Sequence, residues 1–131
     1  MLAPTVLLRR VTVLVVDDEE PLRQYITRVM EDEGYHVITA GDEVEALTLL
    51  DQSGALVQLV ITDVAMPNMT GPELATRLAT QPDAPPVLFM SGSSAGTDLP
   101  GPLLTKPFRP DDLNGMVRRL LAPQLHTADT A

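Results

Sequence analysis

Three aspartates, a serine and the chain's single lysine stand at the C-terminal ends of short apolar runs, and that shared placement gives them chemistry. Val11-Thr12-Val13-Leu14-Val15-Val16 leads into Asp17-Asp18, and Val57-Gln58-Leu59-Val60-Ile61-Thr62 leads into Asp63. Val87-Leu88-Phe89-Met90 leads into Ser91, and Leu103-Leu104-Thr105 into Lys106. Runs that are short, β-branched and mostly unalternating read as parallel strands buried on both faces. Ligands of open α/β sheets bind outside the carboxyl ends of the strands, so these side chains converge on one crevice. Like-charged carboxylates do not crowd together unless a proton or a cation offsets them. Oxygen donors of this kind suit a hard divalent cation, with the ammonium and hydroxyl left for an anionic group beside it.

Each residue has a plainer role when taken alone. An Asp after a strand is often a helix cap, Ser91-Gly92 is a turn pair, and Lys106 is a solvated lysine. It is their coincidence at successive strand ends that favours a site. His36 and His126 are far apart and have no partners in the sequence, so neither reads as a metal ligand or a phosphodonor. The methionines read as core filler.

The elements that must hold these groups alternate. Pro21 suits a first helical turn, Leu22, Ile26, Val29 and Met30 recur at helical spacing, and Gly34 is a natural stop. Tyr35 to Ala40 forms the second strand. Asp42 with Glu45 is a capping-box pattern, opening a helix whose Val44, Leu47 and Leu50 are expected to face inward. Thr70-Gly71-Pro72-Glu73 opens another helix in the same way. The last helix carries Leu113, Val117, Leu120 and Leu121 on one face and Asp111-Asp112 at its positive end. Arg109 stands at its cap, where Asp, Asn, Ser or Thr is preferred. Five strand units alternating with helices imply a doubly wound parallel α/β sheet. A dinucleotide-binding order wants a Gly-rich turn after the first strand, but Asp17-Asp18-Glu19-Glu20 would repel a pyrophosphate. The flavodoxin-like order 2-1-3-4-5 is therefore expected.

Composition narrows the function classes. The chain has 131 residues, 44% of them hydrophobic and 21% charged, an ordinary balance for one globular domain. Its formal net charge of −9 argues against a nucleic-acid surface, which needs clustered Lys and Arg. With no cysteine there is no disulfide framework, thiolate metal site or Cys nucleophile, which suits a cytoplasmic setting. No stretch reaches the ~20 apolar residues that span a bilayer, so no membrane insertion is expected. The apolar Met1 to Leu8 precedes its charges, Arg9-Arg10, instead of following them, so it does not read as a signal peptide. The expected organisation is an extension over 1–9, a domain over 10–122 and a flexible tail over 123–131.

These residues resemble a known family. Val15-Val16-Asp17-Asp18-Glu19, then Asp63-Val64-Ala65-Met66-Pro67-Asn68-Met69-Thr70-Gly71, Met90-Ser91-Gly92 and Lys106-Pro107-Phe108, in that order at strand ends, resemble the receiver domain of two-component response regulators. The resemblance covers roughly residues 10 to 122. It implies that Asp63 is the phosphoacceptor, and that Asp18 and Asp63 ligate Mg2+ directly. Asp17 would act through water and Ala65 through its backbone carbonyl. It further implies that Ser91 is the switch hydroxyl, that Lys106 pairs with the phosphoryl group and stands apart from the cation, and that the Lys106-Pro107 bond is cis. Gly92 would let its N–H approach a phosphoryl oxygen without a Cβ clash. The implied partner is a histidine kinase or a histidine phosphotransfer protein, docked near Leu22 and Ile26. The flavour of Met90-Ser91-Gly92 and Leu104-Thr105-Lys106-Pro107-Phe108 resembles receivers attached to sensor kinases.

Two departures bear on output. The family usually carries an aromatic three residues before the lysine, where this chain has Leu103. Giving the last strand Pro102 to Thr105 leaves only Gly92 to Gly101 for the fourth helix and its loops, and that stretch includes Gly96 and Pro100. A mean helix alone needs ~11 residues, so this one is expected to be short or missing. Activation is then expected to act on the Gly92–Gly101 segment instead of through an aromatic rotamer. Two other functions compete. An Mg2+-dependent phosphatase with an Asp nucleophile would want a second acid two residues on, where Ala65 stands, so a dedicated enzyme is not expected. A degenerate receiver acting only as a protein-binding module would not need the full set of Asp17, Asp18, Asp63, Ser91 and Lys106.

Overall fold

Val13, Leu14, Val15 and Val16 are all fully buried, which is why the first strand shows no alternation. Successive side chains of a strand point to opposite faces. Here Val13 and Val15 join one apolar layer, and Leu14 and Val16 the other. The computed structural model describes residues 11–53, 56–65, 70–81, 83–92 and 99–130. Its elements are β1 Thr12–Val16, α1 Glu20–Asp32, β2 His36–Ala40, α2 Glu43–Ser53, β3 Val57–Asp63, α3 Gly71–Leu78, β4 Val87–Ser91, β5 Leu103–Thr105 and α4 Pro110–Thr130. All four strand pairings are parallel, in the order β2-β1-β3-β4-β5. The expected flavodoxin-like sheet is the observed one.

The two apolar layers fix which helix covers which face. Ile26, Val29 and Met30 of α1 and Leu113, Val117 and Leu121 of α4 pack on one side. Ala46 and Leu50 of α2 and Leu74 and Leu78 of α3 pack on the other. β1, β3 and β4 lie inside the sheet, which accounts for their apolar ends in sequence. β2 is an edge strand and only half-buried.

Local signals explain most boundaries. α1 stops where Gly34 adopts φ +95°, with its N–H donating to Glu31 O and the Tyr35 N–H donating to Met30 O. These two bonds satisfy carbonyls the helix would otherwise orphan. Thr70 and Glu73 form both arms of a capping box at α3. At α4 the missing side-chain cap at Arg109 is offset by Asp112, whose carboxylate accepts the Arg109 N–H at 3.0 Å.

Several expectations need correction. At α2 the Asp42 carboxylate accepts the Glu45 N–H at 2.8 Å, but Glu45 returns to the N–H of Gly41 instead of that of Asp42. Val44 does not face inward: it is 64% exposed, and the inward positions near it are Glu43 and Ala46. Leu47 and Leu50 do pack inward as expected, so only Val44 departs from the expectation: it lies about 100° round the helix from Glu43, off the face that Glu43, Ala46, Leu47 and Leu50 share. The backbone of α4 is helical from Pro110 to Thr130. The expectations for the 1–9 extension and for most of the short fourth helix, at 93–98, lie outside the described residues. Flanking Gly92 and 99–101 are not helical, and four helices are present among the described residues.

Candidate functional site

The strand register delivers the expected residues to one place. Val16 pairs with Thr62, so the next residues on each strand, Asp17 and Asp63, leave the sheet side by side. Asp63 pairs with Met90, and Ser91 pairs with Thr105, so Ser91 and Lys106 follow on the adjoining strands. The ladder extends past the strand ends: the Asp17 N–H donates to Ala40 O, the Val64 N–H to Met90 O, and the Lys106 N–H to Ser91 O, at 3.1, 2.9 and 2.8 Å. Each functional residue thus begins from a backbone held on both sides.

One carboxylate oxygen each from Asp17, Asp18 and Asp63 lies within 4.8 Å of the others. Opposite oxygens of an octahedron with ~2.1 Å arms stand ~4.2 Å apart, so this donor set fits a small hard cation such as Mg2+ with little closure. Burial is graded across the trio. Asp17 is fully buried, Asp63 is half-buried and Asp18 is exposed, so the cluster opens to solvent on the Asp18 side.

Lys106 Nζ lies 3.3 Å from Asp17 Oδ2 and 3.5 Å from Asp63 Oδ2, with Glu19 Oε1 at 3.9 Å. The ammonium thus rests on the carboxylates themselves, a contact the expected role toward a phosphoryl group did not include. Crowded carboxylates need an offsetting charge, and the chain's one lysine provides it. Burial pushes the Asp17 carboxyl above the usual range, with the neighbouring Asp63 charge adding to it. The Glu19 N–H, donated to Asp17 Oδ1 at 2.8 Å, and Lys106 pull the other way. Lys106 is held above its ordinary value: burial works to lower it, and the combined charges of Asp17 and Asp63 overcome that. The Lys106-Pro107 peptide bond is cis.

The loop after β3 is shaped by Gly71, the first residue of α3. Its N–H donates to Val64 O at 2.8 Å, and a Cβ there would collide with the Asp63 carbonyl oxygen. Only glycine lets the helix start press this closely on the Asp63 backbone. A Cβ at Gly92 would meet nothing within 4 Å, so no packing against the described residues requires that glycine. Ser91 is buried, and Ala65 is exposed with its N–H donated to Asp63 Oδ1 at 3.4 Å. Met66 to Met69 lie outside the described residues.

Other features were not legible as parts of the site. Arg23 donates from Nη1 to the backbone carbonyl of Asp17, and nothing marks it in sequence beyond its place in the first turns of α1. Ile26 is fully buried and cannot meet a partner. Leu22, by contrast, lines a cleft of about 530 Å³ together with Glu19, Tyr25, Lys106, Pro107 and Phe108. There the Tyr25 and Phe108 rings stand 6.1 Å apart. The aromatic missing at Leu103 has a neighbour instead: Phe89 on β4 pairs with Leu103 and is fully buried.

Comparison with known proteins gives one consistent result. Residues 13–118 match the response regulator receiver domain family. The sensor kinase CckA of Brucella abortus is 36% identical over 121 residues, which make up 86% of this chain and 13% of the kinase. The chain spans about half the length of further curated relatives, which are transcriptional regulators. Among solved structures, the chemotaxis protein CheY4 of Vibrio cholerae superposes with a TM-score of 0.75 at 34% identity, covering 86% of this chain and 99% of CheY4. The response regulator TrrA of Thermotoga maritima, solved in complex with Mg2+ and BeF, gives 0.77 at 29% identity, covering 85% and 99%.

Proposed function

We propose that this chain, which belongs to the response regulator receiver domain family of two-component signalling, takes a phosphoryl group from a phosphohistidine onto Asp63. In that step an Asp63 carboxylate oxygen attacks phosphorus as the P–N bond to the histidine breaks. The products are an acyl phosphate and a free imidazole. The observation that carries this reading is the meeting of Asp17, Asp18 and Asp63 within 4.8 Å at the ends of β1 and β3, with Lys106 Nζ from the end of β5 on both Asp17 and Asp63.

Phosphoryl transfer places charge on three equatorial oxygens, so the protein's task is positioning and charge neutralisation. Bound Mg2+ would supply that neutralisation. Asp18 and Asp63 would hold it directly, Asp17 through water, and Ala65 through its backbone carbonyl. Lys106 would move its ammonium from the carboxylates to the incoming phosphoryl group. The Ser91 hydroxyl and the Gly92 N–H would take the remaining oxygens. The donor would be a histidine kinase or a histidine phosphotransfer protein, and the cleft of Leu22, Tyr25, Pro107 and Phe108 beside Lys106 is the apolar surface on which it would seat.

Incubation with acetyl phosphate and Mg2+, read by intact mass, tests the reading. Wild type should gain one phosphoryl group, and Asp63→Ala should gain none. Labelling of Asp63→Ala to the wild-type level would remove Asp63 from the role. No labelling of wild type would favour a protein-binding module instead.

A further inference from the structure

Among the described residues, Arg23 is the one cation besides Lys106 bonded to the acidic residues after β1, yet it bonds to backbone and not to a carboxylate of the cluster. Its Nη1 donates to the Asp17 carbonyl oxygen, and Nη2 lies 4.0 Å from Glu20 Oε2. The side chain is 18% exposed, well enclosed for an arginine on a helix that borders the surface. The enclosure comes partly from Gly41, where a Cβ would stand 3.4 Å from Nη1 and 3.8 Å from Cζ. Gly41 is itself held, its N–H donating to Glu45 Oε1 at 2.7 Å. The guanidinium therefore ties α1 to the end of β1 and lies against the turn between β2 and α2.

What this fixes is the Asp17–Asp18 peptide. The Asp17 N–H is bound to Ala40 O, its Oδ1 to the Glu19 N–H, and its carbonyl to Arg23. The carbonyl belongs to the peptide plane that leads into Asp18. Asp18 is exposed and has no side-chain bond recorded among the described residues, so the direction of that peptide governs where its carboxylate points. A guanidinium fork is suited to this: it stays charged, is planar and presents several donors in fixed geometry.

We propose that Arg23 is a positioning residue of the divalent-cation site, holding the Asp17–Asp18 peptide so that both carboxylates face the cation. This rests on the cation site proposed above. The two ways Arg23 could matter have opposite signs. Acting only through its charge, Arg23 would repel a bound cation, and its removal would tighten Mg2+ binding. Acting by position, its removal loosens binding. A hydrogen bond from a charged donor is worth enough to expect roughly a tenfold change.

The test is a titration with Mg2+ alone, followed by calorimetry and by the amide resonances of Asp18 and Glu19, on folded protein checked by circular dichroism. Arg23→Met should bind Mg2+ about tenfold more weakly and shift both amides before any metal is added. Arg23→Lys, which keeps the charge but loses the fork, should fall between Arg23→Met and wild type. Arg23→Gln, which loses the charge and the fork but keeps a polar end, should weaken binding in the same direction, which keeps the test decisive if Arg23→Met does not fold. Wild-type or tighter affinity in Arg23→Met, or in Arg23→Gln should that alone fold, would overturn the positioning role and leave the site reading intact. Failure of wild type to bind Mg2+ would overturn both.

Discussion

Replacing Lys106 by Met keeps the length and apolar stem of the side chain and removes only the ammonium, so it isolates the charge that offsets the carboxylate cluster. At 3.3 and 3.5 Å from Asp17 and Asp63, each attraction is about 5 kcal/mol gross at an effective dielectric of about 20. Desolvation of the ammonium and of the buried Asp17 offsets much of it, and charge-assisted bonds retain about 1.5–3 kcal/mol net. One ammonium serves both acceptors and the pair keeps some solvent, so the low end of each applies, giving about 2–3 kcal/mol in total. For a domain of this size that is a fall in Tm of about 8–12 °C at pH 7 without divalent cations. The sign with pH follows from the shifts. Lys106 is held above its ordinary value, so its contribution is complete at pH 7; its own deprotonation removes it on the alkaline side, and protonation of its carboxylate partners removes it in acid. Asp17 is raised from 3.8 by burial, so the cost of its charge is absent in acid and grows as pH rises through its folded value. The gap between Lys106→Met and wild type should therefore be small near pH 3 and open as the carboxylates ionise. Added Mg2+ should close it, since a bound cation would replace the lost ammonium. Thermal unfolding across pH, with and without Mg2+, measures all of this. Equal Tm for the two proteins at pH 7 in chelator would refute the assignment of Lys106 as counter-ion to the cluster.

Gly71→Ala should cost about 1–3 kcal/mol, because its Cβ meets the Asp63 carbonyl and the backbone must shift. The same shift moves Asp63, so phosphorylation by acetyl phosphate should slow while the protein is still folded, and an unchanged labelling rate would count against this contact. Thr70→Ala should lose about 1 kcal/mol through the cap of α3. Glu73, held below its ordinary value by its bonds to Thr70, should give that loss its pH dependence. Only the part carried by the Glu73 carboxylate fades in acid; the Glu73 N–H to Thr70 Oγ1 bond does not titrate, so a gap between the two melting curves should remain there.

The fold was legible because β1, β3 and β4 are enclosed on both faces, so their apolar runs cannot be mistaken for half-exposed strands. The positions of Asp17, Asp63, Ser91 and Lys106 followed from the strand ends alone, since a parallel register carries every strand terminus to the same edge of the sheet. Helix faces were harder. Leu47 and Leu50 point inward as expected, but Val44 does not, because at helical spacing the face they define passes through Glu43 and Ala46. An apolar side chain one position from that face was mistaken for part of it.

The features that escaped the sequence reading are contacts of backbone atoms and of charge balance. Nothing in the residue types says that Arg23 will choose a carbonyl over the nearby carboxylates, or that Gly71 will be needed where Asp63 leaves β3. The position of Lys106 was expected from a role toward a phosphoryl group, but the resting chain must first neutralise its own aspartates. Lys106 now offsets the charges of Asp17 and Asp63. If the site takes Mg2+ and a phosphoryl group as proposed, departure of Lys106 toward a phosphoryl oxygen would be coupled to the arrival of Mg2+, because either event alone would leave the buried Asp17 charge uncompensated or doubly compensated. Lysine and metal would then belong to one charge balance, and Lys106→Met and Mg2+ removal should not be additive.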